Sequence, residues 1–136
     1  MNSKYLLTII ILTPLLSHFF VGPSISQNTK KKKYETRCGW FHNPVPGLII
    51  LYDADGEWLL GVPGGYQVDD GDWEWPEFRS NNWVKTNVEH GYGCACFKLR
   101  VDYQTHKVLE IKSSRDKPLK ACRKDNALKK WSDLFK

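Results

Sequence analysis

Apolar and polar positions in this chain repeat with the period of strands more often than with that of helices. "LIILYDADGEWLLGV", residues 48–62, holds two short apolar runs separated by Asp53, Ala54, Asp55 and Gly56. Aspartates that bond back to a turn backbone, followed by a glycine, predict a hairpin with strands near 48–52 and 57–62. In "YGCACFKLRVDY" the period is two: Cys94, Cys96, Lys98 and Arg100 share one parity, and Ala95, Phe97, Leu99 and Val101 share the other. This predicts a long strand whose apolar parity faces the core, while its cysteine face is covered near its start and wet near its end. "QTHK" then turns the chain into "VLEIKS" as a second hairpin, and "WVKT" predicts a short strand. Pro44 and Pro46 flank Val45 and bar regular helix there. From Val62 to Asn82 the chain is rich in Gly, Pro, Asp and Trp and has no period, which predicts a long irregular connection of the kind that often carries function. Leu119, Cys122 and Leu128 among many lysines predict one or two short C-terminal helices. The expected class is mainly β (α+β): a small antiparallel β-sheet domain of hairpins with a short C-terminal helix.

The N-terminal pattern is different. "MNSKYLLTIIILTPLLSHFFVGPSIS" opens with one positive charge, Lys4, runs nearly unbroken in apolar residues from Tyr5 to Leu16, and ends in Ser24-Ile25-Ser26. The apolar run falls short of the ~20 residues that a spanning helix needs. Residues 1–26 therefore read as a signal peptide, cleaved between Ser26 and Gln27. The mature protein is expected to be periplasmic or secreted, meeting the membrane only through the cleaved signal peptide. Residues 27–34, with four consecutive lysines, read as a basic flexible arm, and 35–136 as a single disulfide-stabilised domain. Cleavage lowers the net charge from +5 to +4, too small an excess to argue for nucleic acid as a partner.

Export changes the meaning of the cysteines. Cys38, Cys94, Cys96 and Cys122 make an even count, read as two disulfides in an oxidising compartment. Cys94 and Cys96, two apart in an extended strand, have poor geometry for bonding each other. Two pairings remain open: 38–94 with 96–122, or 38–96 with 94–122. Either ties the N-terminal and C-terminal segments to the central strand.

The same reading disposes of most chemistry. Paired thiols leave no cysteine nucleophile for His42, His90 or His106 to activate. Cys-x-Cys with scattered histidines lacks zinc spacing, and Asp53-Ala54-Asp55-Gly56 lacks the remaining ligands of a calcium loop. No phosphate loop, zinc-protease helix or serine elbow occurs. No catalytic residue, metal or cofactor is assigned, and the chain reads as a non-enzymatic module. What stands out is the stretch from Asp53 to Phe78, with eight acids and no Lys or Arg, whereas residues 98–136 hold twelve basic and five acidic residues. Tyr66, Asp69, Asp70, Asp72, Trp73, Glu74 and Trp75 form the candidate binding set in the loop 66–78. Acids beside accessible tryptophans suit a cationic partner, an envelope or extracellular protein or a glycan. The alternative is a small glycan-binding or glycan-hydrolysing protein using the same loop, since paired carboxyls beside aromatic platforms are what glycosidases use. Trp40, Trp58 and Trp83 lie beside predicted strands and read as core.

"RCGWFHNPVPG", "DADGEW", "GGYQ", "WVKTN", "HGYGCAC" and "PLKACRKDNAL", in this order and spacing, resemble the bacterial domain-of-unknown-function family 4087. The resemblance covers roughly residues 36–128. It implies an exported protein of about this size, and no activity, cofactor or partner.

Overall fold

A computed structural model describes residues 33–68 and 75–136, all within one compact unit, Lys31–Lys136. The expected signal peptide and most of the expected basic arm lie outside the described residues. Two antiparallel meanders make up the sheet: β1 (Glu35–Val45), β2 (Leu48–Tyr52) and β3 (Glu57–Gly61), then β4 (Trp83–Asn87), β5 (His90–Asp102) and β6 (Lys107–Lys117). β1 also runs antiparallel along β5, from Glu35 opposite Leu99 to Asn43 opposite Gly91. β3 meets β6 in parallel where Leu59 lies opposite Lys107. The strands β1-β2-β3-β6-β5 thus close into a five-stranded ring, with β4 extending the sheet from the start of β5. At the seam the Leu59 N–H donates to the His106 carbonyl at 2.8 Å. The expected all-antiparallel pairing fails only here, because a closed ring with an odd number of strands must contain a parallel pair of neighbours.

The predicted hairpin is present, with Asp53–Gly56 as its turn, and Asp53 Oδ1 accepts the N–H groups of Asp55 (2.8 Å) and Gly56 (3.0 Å). Asp53 thus serves turn chemistry, as its spacing implied, whereas the Asp55 carboxylate accepts from Arg37. The segment around Cys38, in which the prolines spoke only against helix, is the eleven-residue strand β1. Pro44 falls where the β1–β2 register shifts, between His42 and Val45, a bulge that can spare a ladder donor.

Strand alternation divides the apolar residues between two clusters. Phe41, Leu51, Trp58, Leu60, Phe97, Leu99 and Val108 fill the barrel interior, joined by Ile49, Val68, Ala95 and Ile111. Trp40, Tyr52, Tyr92 and Cys94 point outward and are covered by Cys122, Leu128 and Phe135 from the C-terminal segment. That segment comprises α1 (Leu119–Lys124), starting after Pro118, and a 3-10 helix, Asn126–Trp131, whose first turn Asp125 caps by accepting the Ala127 N–H. Phe135 stacks on Trp40, with ring centroids 5.1 Å apart, and the Trp131 indole donates to the Asp53 carbonyl at 2.9 Å.

Of the two pairings left open by the cysteine spacing, the structure has Cys38–Cys96 and Cys94–Cys122, separated by 58 and 28 residues. Cys38 and Cys96 lie directly opposite in β1 and β5, so this bond crosses neighbouring strands. The other fastens α1 to the outer face of β5. Tyr34, the last residue of the predicted arm, is tied to the barrel: its hydroxyl donates to Glu110, and Lys112 lies 5.6 Å from its ring centroid.

Candidate functional site

Each end of the barrel is closed by side chains, and the two ends differ in chemistry. At the end formed by the start of β1, the 53–56 turn and the 103–106 turn, Arg37 is on the inward parity of β1, two residues before Gly39 and four before Phe41. Only 7% of it is exposed. Its guanidinium lies 4.0 Å from the Trp58 ring centroid. It donates to Asp53 at 2.6 Å, Asp55 at 2.8 Å, Glu35 at 2.6 Å and the Tyr103 hydroxyl at 3.3 Å. Burial works against its charge, yet these hydrogen bonds together hold its pKa above the ordinary arginine value. Glu35 also pays for partial burial, but the hydrogen bonds from Tyr103 and Arg37 hold its carboxyl below the ordinary range. Trp58 also stacks on His106 at 4.9 Å. A surface cleft of about 350 Å³ opens here, lined by Glu35, Arg37, Asp53, Asp55 and Tyr103 among others. Its carboxylates converge on a cation and not on open space, so the cleft's charge is already committed within the fold.

The other end is aromatic. Trp75 and Phe78, from the described part of the connection before β4, and Trp83, the first residue of β4, approach the interior Phe41 at centroid distances of 5.3, 5.7 and 6.3 Å. Asp116 of β6 anchors residues 79–82, accepting from Asn82 Nδ2 at 2.7 Å and from Arg79 at its N–H and Nε, at 3.3 and 3.4 Å. The Asn82 bond leads the interactions that hold the Asp116 carboxyl below the usual carboxylate range. Phe41 meets the edge of Trp75 at 86°, and Trp75 remains 46% exposed. Such a residue is held by the core and still leaves nearly half of its surface to solvent.

Of the candidate binding set, Tyr66 and Trp75 are described, whereas Asp69, Asp70, Asp72, Trp73 and Glu74 lie outside the described residues. Tyr66 is a fastening residue: its hydroxyl donates to the Val108 carbonyl, and Lys107 lies 4.9 Å from its ring centroid. Trp40 and Trp58 are buried as their strand positions implied, and Trp83 is half-buried. The Arg37 cluster was not singled out from the sequence. Its one local signal is an arginine on the same parity as Phe41, and its partners lie up to 66 residues away. Among the described residues no group of three or more His, Cys, Asp or Glu side chains is placed to hold a metal ion, and no helix is long and apolar enough to cross a membrane.

A family model described as "Protein of unknown function (DUF4087)" matches residues 32–129, which contain all six strands and α1. No curated protein and no solved structure matches the chain.

Proposed function

The chain belongs to the DUF4087 family, and from that premise we propose that it is an exported, non-enzymatic module that binds or inhibits an envelope or extracellular macromolecule through the 66–78 loop. The observation that carries this reading is Trp75, braced edge-on by Phe41 and still 46% exposed at the aromatic end of the barrel. An aromatic held in place before contact loses little conformational freedom on binding, the property that makes tryptophan a frequent interface anchor. The stretch around it carries acids and no Lys or Arg, which favours a cationic partner and fast capture at low salt. Two disulfides are consistent with an oxidising extracellular compartment.

Affinity capture from envelope and secreted fractions tests the reading, with the wild type, a Trp73→Ala/Trp75→Ala pair and an Asp72→Asn/Glu74→Gln pair as baits. The wild type is expected to retain a partner that the tryptophan pair loses at unchanged melting temperature. The amide pair should bind more weakly at low salt and lose that difference at high salt. Loss of the partner only alongside a collapsed melting transition would make these tryptophans core residues and overturn the proposal. A bound glycan, indifferent to the amides, would favour the glycan-binding alternative.

A further inference from the structure

Both disulfides serve as staples, but they meet solvent differently. Cys94 and Cys122 are 2% and 4% exposed, closed in beneath α1 within the outer cluster. Cys96 is 4% exposed, whereas its partner Cys38 is exposed. The topology explains the difference. β2 pairs with β1 only from Trp40 onward, so at Cys38 the strand has β5 on one side and no ladder partner on the other. Cys38 sits on this edge and borders a surface cleft of about 350 Å³ that no other cysteine lines, besides one of about 210 Å³ that it shares with Cys94, Cys96 and Cys122, with Arg115 and Asp125 also in its wall.

The surroundings of the two sulfurs differ as well. Arg115 lies opposite Cys96 on β6, and Lys98 follows it by two residues on the same face of β5. Directly opposed residues have Cβ atoms about 5 Å apart, so the Arg115 side chain starts close to the Cys96 sulfur. Neither Arg115 nor Lys98 has an ion-pair partner among the described residues. An unpaired cation beside a sulfur stabilises the thiolate that forms there, and a better-stabilised thiolate leaves faster in exchange.

We infer that Cys38–Cys96 is a thiol-exchange site for small-molecule thiols, with Cys38 the sulfur attacked and Cys96 the leaving thiolate. A thiolate RS⁻ attacks Cys38 Sγ, the bond between Cys38 and Cys96 breaks, and its electron pair departs on Cys96 Sγ. The product is a mixed disulfide, Cys38–S–S–R, beside a Cys96 thiolate. A second RS⁻ attacking the R sulfur releases Cys38 as a thiolate and forms RSSR. Two thiols are thereby oxidised and one protein disulfide is reduced. The Cys94–Cys122 bond keeps α1 attached to β5 throughout.

The test uses the native, oxidised protein and reduced glutathione as the probe. Samples are quenched with an alkylating reagent at intervals and mapped as peptides. The expected first product carries glutathione on Cys38 and the alkyl group on Cys96. Reduction of Cys94–Cys122 should be at least about tenfold slower, because it waits on local opening of the cover. Replacing Arg115 by Gln should slow the first exchange by about threefold through a less stabilised leaving thiolate, with no change in the reduction of Cys94–Cys122. The inference is overturned if both disulfides are reduced together, if glutathione appears on Cys96, or if Arg115→Gln leaves the rate unchanged.

Discussion

Arg37 and His42 lie five residues apart on β1 and respond to burial in opposite ways. Arg37 keeps its charge because Glu35, Asp53 and Asp55 surround it. Breaking such a group from one side leaves the buried Asp53 carboxylate without its ion partner, so Arg37→Ala should destabilise the fold by about 3–5 kcal/mol in urea titrations. His42 takes the other course. Its ring lies 5.3 Å from Phe135, 6.0 Å from Tyr52 and 6.4 Å from Tyr92, and its Nδ1 is buried without a hydrogen-bond partner among the described residues. Burial lowers its pKa below the ordinary 6.5. Below that value the unfolded chain binds more protons than the folded one, so the contribution of a neutral His42 is full above this window and is lost as the pH falls through it. Glu35, Asp102 and Asp116, shifted downward, lose their contributions only as the pH falls below the ordinary carboxylate range. Melting temperatures measured from about pH 7 to about pH 5 should therefore fall for the wild type and stay flatter for His42→Phe.

At the scale of elements, β1 carries the architecture, since Trp40, Phe41 and His42 pair with β2 on one side and β5 on the other. Gly39 makes possible the close approach of the end of β2. A Cβ at this position would lie 2.0 Å from the Tyr52 carbonyl oxygen, a backbone atom that cannot move without the strand. Gly61 is also tight, but its Cβ would meet the end of the Gln67 side chain at 2.4 Å. Gly39→Ala should cost about 1–3 kcal/mol or more, and Gly61→Ala less, in chemical denaturation of the two variants. The hairpin of β2 and β3 was legible because turn residues and apolar runs are neighbours in the chain. β1 was not, because its apolar residues face two different covers: Phe41 the barrel interior, Trp40 the C-terminal segment. A strand buried on both faces loses the alternation by which strands are recognised.

For the whole molecule, the expected exported form begins at Gln27 and contains both disulfides. Its intact mass should be four hydrogens below the reduced chain and unchanged by alkylating reagent before any thiol is added. A start at Met1, or alkylation without prior reduction, would contradict that expectation. The sequence by itself determined the mainly β class, the central strand with its two parities, the hairpin turn at Asp53–Gly56 and the reading of the cysteines as two bridges. Each of these depends on residues within a few positions of one another, or on a count. The tertiary structure alone decided that the sheet closes through a parallel seam, that Cys38 pairs with Cys96, that three carboxylates converge on Arg37, and that the C-terminal segment covers the outer face of β1 and β5. Apart from the Glu35–Arg37 contact, these features join residues 16 to 95 positions apart, and which distant pairs meet follows from closing the ring, a choice that no local pattern of side chains encodes.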